Sequence, residues 1–179
     1  PTATPTKAPG ATPAPSPTPV VAAPKYGGVL RVWANFDMRE WDIQREPGNA
    51  TPMNLAANAV FGKLITWASA TEESCVNPLV PILAESYKYV DAQTLDVTLR
   101  PGVKFHNKPP VNGRELTAKD VVWNFARLKE VAVSGQITPG LGHLDRVEAT
   151  GPLSVRFHFR DPFAFALSNL LAATTGAFM

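Results

Sequence analysis

The chain has 179 residues, 45% of them hydrophobic, and a formal net charge of +2 at pH 7. That length suits one domain or slightly more, and the near-neutral balance, with no run of five Lys/Arg, offers nothing for a nucleic acid to bind. No stretch reaches the roughly 20 apolar residues of a membrane-spanning helix, while the single cysteine, Cys75, excludes an intrachain disulfide and leaves no Cys/His spacing for zinc.

Eight of the 18 prolines fall in residues 1–24, among Thr and Ala and a single charge at Lys7. This segment has no apolar periodicity, so residues 1–25 are expected to be a disordered, polyproline-II-like linker that spaces a domain from a surface. The chain starts at Pro1 without a signal peptide and stops in the apolar run FAFALSNLLAATTGAFM. Both ends point to the N-terminal portion of a longer, processed protein.

GGVLRVWAN, with Val29, Leu30, Val32 and Trp33, reads as a short buried strand. A long loop of mixed polarity follows, from Asn35 to Asn49. Thr51 as N-cap and Pro52 in the first turn open a helix whose apolar positions Met53, Ala56, Ala57, Val60, Phe61 and Leu64 predict a span of about 52–64, running into LITW. ASATEESCVNP is a polar loop, and LVPILAES, broken by Pro81, reads as a turn or irregular segment. SYKYVDAQTLDVTLRPG predicts a β-hairpin turning at Asp91-Ala92-Gln93, with Leu95, Val97 and Leu99 on a buried face and Asp96, Thr98 and Arg100 on a wet one. A third strand, LSVRFHFR, alternates Val155, Phe157 and Phe159 with Arg156, His158 and Arg160. The three strands are expected to form one antiparallel sheet covered by a helix that starts after Leu116.

That helix carries the strongest local signal. Thr117 is its N-cap and Asp120 its N3 residue, an Asp variant of the capping box in which the shorter side chain must still reach back to the Thr117 amide. Leu116 and Val121 form a hydrophobic staple, and Val121, Val122, Phe125 and Leu128 make the buried stripe. Arg127 and Lys129 complement the negative C-terminal end.

Little in the chain resembles a catalyst. His106, His143 and His158 have no helical partner or neighbouring Cys, so a metal site is not expected. Glu72/Glu73 sit in a polar loop, and Asp37, Glu40 and Asp42 lie in the long loop, where a binding role and an ordinary connection weigh equally. No GxSxG, P-loop or GxGxxG occurs.

Taken in order, YGGVLRV, LAESYKYVDAQTLDVTLRPGVKFH, LTAKDVVWNFARLK and VEATGPLSVRFHF resemble the extracellular solute-binding proteins of family 5, the dipeptide-, oligopeptide- and nickel-binding components of ABC importers. The resemblance covers residues 26–179. It implies a mixed α+β protein of the α/β class with the type II periplasmic-binding-protein architecture, of which this chain is a partial first lobe with its extra domain; the second lobe lies downstream. Residues 26–50 would be the first strand and loop of the lobe I core, 51–160 the extra α+β domain, and 161–179 a return into the core. The protein would be no enzyme and need no cofactor. It would capture a solute, an oligopeptide first, by closure of two lobes. Its partners would be that ligand, the ABC permease subunits and, through a lipid anchor upstream of this chain, the membrane; its place would be extracytoplasmic. By the same resemblance the loop before the first helix, REPGNAT, contacts the ligand, which nominates Arg45, Glu46, Gly48 and Asn49. Relatives go almost directly from the FHDG-like turn into the helix, whereas here HNKPPVNGRE intervenes, so residues 107–113 are expected to form a stiff surface protrusion. The rival reading, a surface-attached adhesion module without a transport role, predicts that the gene stops at Met179. An exported hydrolase has no nucleophile–base set to rest on.

Overall fold

A computed structural model describes residues 27–29, 31, 33, 42, 44, 60–68, 78–131 and 140–171. The chain divides into two units, Pro1–Trp33 and Ala34–Met179. In the first, Gly27–Val29, Arg31 and Trp33 have no regular secondary structure, and Val29 and Trp33 are exposed. The strand expected here is not formed over these residues. Gly27 and Gly28 both adopt φ 98, outside the extended basin, so the backbone enters this stretch turning rather than extending. Leu30 and Val32 lie outside the described residues, as does the linker.

The second unit is built on a four-stranded antiparallel sheet in the order β3-β4-β6-β5. Its strands are β3 (Ala84–Asp91), β4 (Thr94–Leu99), β5 (Leu144–Ala149) and β6 (Ser154–Phe159). The predicted hairpin is β3 and β4, and its turn is closed where the Gln93 amide donates to Asp91 Oδ1 at 2.7 Å. β4 and β6 alternate as expected: Leu95, Val97, Leu99, Val155, Phe157 and Phe159 are all buried. On the other face Asp96 and Arg156 stand directly opposite each other and pair through two bonds, 2.6 and 2.8 Å. Beside them Glu148 meets His158 Nε2 at 2.9 Å.

The fourth strand, β5, was not among the expected three. A register shift between Leu144 and Arg146 marks a bulge, which moves the apolar positions to Leu144 and Val147. The stretch LDRVEA therefore has no period-2 alternation to read. Lys129 lies in the last turn of the helix that follows β4, as read from the sequence, and also secures this edge by donating to the Asp145 carbonyl at 2.7 Å.

Helix α1 (Ala118–Val131) covers the inner face of the sheet against β5 and β6. Val121, Phe125 and Leu128 are buried, Val122 is half-buried, and the Phe125 ring meets Phe157 edge-on at 5.2 Å. The cap has the expected partners: Asp120 Oδ2 accepts from both the Thr117 amide and the Thr117 hydroxyl at 2.9 Å. Asp120 also takes two bonds from Arg114, at 2.6 and 2.8 Å. Burial opposes the Asp120 charge, but Arg114 and both Thr117 donors outweigh it and hold the carboxyl below its ordinary range.

Two further strands, β1 (Ile65–Trp67) and β2 (Leu79–Pro81), pair antiparallel. They correct two expectations. Of the predicted 52–64 helix, Val60 is helical and Phe61–Leu64 are not, while residues 52–59 lie outside the described set. LVP is a strand and not a turn, with Pro81 at its end. Backbone bonds from Ile82 to Leu64 and from Leu83 to Lys63, 2.9 and 3.1 Å, draw this segment away from helical geometry. Gly62 lies so close to Leu83 that a Cβ there would stand 2.9 Å from the Leu83 side chain. Leu64, Ile65, Phe163, Ala166, Leu170 and Leu171 join the sheet residues in one hydrophobic core. Leu167–Leu171 form a π-helical turn.

The 107–113 segment is exposed, apart from Val111 and Gly113, and internally bonded. Gly113 and Lys108 donate to the His106 carbonyl at 3.2 and 2.8 Å, and Asn112 donates to the Lys108 carbonyl at 2.9 Å. Phe105 pairs with Arg114 at its neck, where the guanidinium lies 4.7 Å from the Phe105 ring.

Candidate functional site

The nominated ligand residues Arg45, Glu46, Gly48 and Asn49 lie outside the described residues, as do Asp37, Glu40, Glu72, Glu73 and Cys75. What is described is the point from which that loop departs. Asp42 and Gln44 are fastened to α1 by two side chains one helical turn apart. Arg127 Nη1 donates to Asp42 Oδ1 at 3.1 Å and to Gln44 Oε1, and Nη2 donates to Asp42 Oδ2. Asn124 Oδ1 accepts from Gln44 Nε2 at 3.0 Å, and the Gln44 amide donates to Asp42 Oδ1 at 3.2 Å. Gln44 is fully buried.

The chemistry of this clasp is specific. A guanidinium facing a carboxylate through two parallel bonds is a strong and directional contact, which Lys does not reproduce. Arg127 and Asp42 retain 19% and 22% side-chain exposure, so the pair is shielded from water without suffering full desolvation. One peptide bond beyond the buried Gln44, the chain begins REPGNAT. Helix α1 thus holds the residue from which the nominated ligand loop departs.

Sequence reasoning assigned Arg127 to the helix end and passed over Asn124. The available signal was their i,i+3 spacing, which puts both on one helix face beside the apolar stripe. Polar residues at the border of a buried stripe need partners, and those partners are 80 or more residues away in sequence. Asn124 is itself incompletely satisfied: its Nδ2 is buried without an acceptor.

The histidines do not converge. His143 Nδ1 meets Asp161 at 2.7 Å and stacks on Phe163 with centroids 4.4 Å apart, His158 pairs with Glu148, and His106 is exposed. Among the described residues no group of three His, Cys, Asp or Glu could hold a metal ion, and no helix is long and apolar enough to cross a membrane.

Similarity to known proteins agrees with this architecture. Three solved structures illustrate the likeness in fold. A dipeptide-binding protein from Pseudoalteromonas sp. SM9913 in complex with Met-Leu has 21% identity and a TM-score of 0.64, covering 82% of this chain and 30% of its own. The periplasmic binding protein DppA from Helicobacter pylori, in complex with the peptide STSA, has 21% identity and a TM-score of 0.62, covering 78% and 28%. NikA from Brucella suis, in complex with Fe(III)-EDTA, has 23% identity and a TM-score of 0.59, covering 70% and 23%. The chain therefore spans between 23% and 30% of the length of these structures. No curated protein matches the sequence. The family model described as "Bacterial extracellular solute-binding proteins, family 5 Middle" matches residues 78–179, more than half of the chain and nearly all of the sheet and helix described above. This chain belongs to the bacterial extracellular solute-binding proteins of family 5.

Proposed function

We propose that the full-length protein is the substrate-binding component of an ABC importer and that its ligand is an oligopeptide. The observation that carries the reading is the Arg127–Asp42–Gln44–Asn124 clasp, in a chain of this family, at the base of the nominated loop. A loop that departs from an anchored residue loses less entropy when a ligand orders it, so the clasp on Gln44 favours binding through Arg45, Glu46, Gly48 and Asn49. Arg45 and Glu46 offer opposite charges, and Gly48 lets the backbone approach an extended ligand closely. The peptide reading rests on two similar structures that hold peptides, while the one holding Fe(III)-EDTA keeps a metal chelate as the rival ligand.

On this reading residues 26–50 and 161–179 belong to the core of a first lobe and residues 51–160 to its extra domain. Ligand bridges this lobe to a second one and stabilises the closed state in proportion to its differential affinity. The Pro/Thr-rich residues 1–25 space the domain from a lipid anchor on the outer face of the membrane, and the closed form docks on the permease subunits. Calorimetry of the full-length protein against peptide pools tests the ligand class. Saturable heat from peptides of two to five residues is expected. Silence toward every peptide, with tight binding of a sugar or a metal chelate, sinks the peptide assignment.

A further inference from the structure

Val111, from the 107–113 segment that the transport reading leaves without a role, lines with Phe105 and Arg114 one side of a groove of about 570 Å³. The opposite wall is the outer face of α1. Phe105, Val111 and Trp123 supply its apolar surface, and Trp123 is 61% exposed. Arg114 and Asp120 also line it, but their charges are spent on each other. Two donors of the lining residues have no partner among the described residues, one buried and one exposed. Asn124, 3% exposed, has its Nδ2 buried without an acceptor. The Lys119 ammonium makes no ion pair or hydrogen bond among the described residues.

We propose that this groove is a second ligand site, separate from the transport cleft, for a small carboxylate with an aromatic or branched apolar body. The volume lies in the range of pockets that enclose small organic molecules. The Lys119 ammonium complements an anion, and the Trp123 and Phe105 rings complement a planar or branched apolar group. A cationic ligand would meet only the already paired Asp120 carboxylate.

The test uses the full-length protein with 3-phenylpropionate as probe and its neutral amide as control, followed by calorimetry. Saturable binding of the acid is expected, in preference to the amide. Lys119→Gln should remove that preference, and Trp123→Ala should weaken the acid about tenfold; both side chains are solvent-facing, so unchanged melting confirms that the fold is intact. Gly-Gly-Phe carries the same apolar carboxylate on a peptide. Binding of Gly-Gly-Phe that Lys119→Gln and Trp123→Ala both weaken extends the groove to peptide C-termini, whereas Gly-Gly-Phe binding indifferent to both belongs to the transport cleft and confines the groove to small acids. Absence of saturable heat, or binding indifferent to both substitutions, overturns the site. So does competitive displacement of 3-phenylpropionate by a peptide occupying the transport cleft, a result that leaves the transport reading intact. Conversely, binding of 3-phenylpropionate by a protein that ignores all transport peptides sustains the groove and removes only the peptide reading.

Discussion

Asp120 gathers more of the local structure than any neighbour on its helix, because one carboxylate closes the cap at Thr117 and also fastens Arg114. The Asp variant of the capping box works because the Thr117 hydroxyl turns to donate to the carboxylate instead of accepting from the helix. Asp120→Asn should destabilise the protein by about 1–2 kcal/mol at pH 7, measured by urea denaturation. The pH dependence carries a defined sign. The folded-state pKa of Asp120 lies below its unfolded value of about 3.9, so its contribution is complete above that value and fades as pH falls through the folded pKa. Wild type should therefore lose stability more steeply than Asp120→Asn below about pH 4, and parallel acid limbs would refute this role. Gly140 sets a second residue-scale constraint. It has φ 99, and a Cβ would stand 2.7 Å from the Phe163 ring. Gly140→Ala should thus cost more than the roughly 1 kcal/mol of backbone strain alone, read as a lowered urea midpoint.

Between elements, the contacts that matter join stretches far apart in the chain. Phe157 on β6 and Phe125 on α1 meet edge-on at the centre of the core, so Phe157→Ala should cost about 3–5 kcal/mol by chemical denaturation. Arg127 joins α1 to the segment at Asp42 and Gln44. Arg127→Ala should lower stability by about 1–3 kcal/mol and speed hydrogen exchange at the Gln44 amide, with Arg127→Lys recovering little because an ammonium cannot span both acceptors. In the full-length protein the same substitution should weaken peptide binding, read by calorimetry. Unchanged affinity together with fast exchange at Gln44 would mean that the loop binds without its anchor, or not at all.

For the whole molecule, ligand capture predicts stabilisation by mass action: about 2.7 kcal/mol at a ligand concentration a hundred times the Kd, seen as a rise in Tm of the full-length protein. Small-angle scattering of the same sample should show a smaller radius of gyration with ligand if two lobes close. Much of the molecule was legible in advance. The hairpin, β6, helix α1 and its cap follow from alternation, turn residues and a staple, all of which are signals within about ten residues of one another. The family was legible too, from LAESYKYV, LRPGVKFH and LTAKDVVWNFAR in order. The misses have separate causes. β5 carries a bulge that erases its period, β1 and β2 are three residues long, and Phe61–Leu64 leave the helical pattern because Ile82 and Leu83 take up the backbone bonds of Lys63 and Leu64. The sequence by itself determined that β3, β4 and β6 share a sheet face and where α1 begins, because propensity, capping and alternation act over short distances. Only the tertiary structure decided that Asn124 and Arg127 hold Asp42 and Gln44, and that Phe105, Val111 and Trp123 face one groove. Those arrangements depend on backbone bonds and charge pairs closed across as many as 85 residues, which no local pattern encodes.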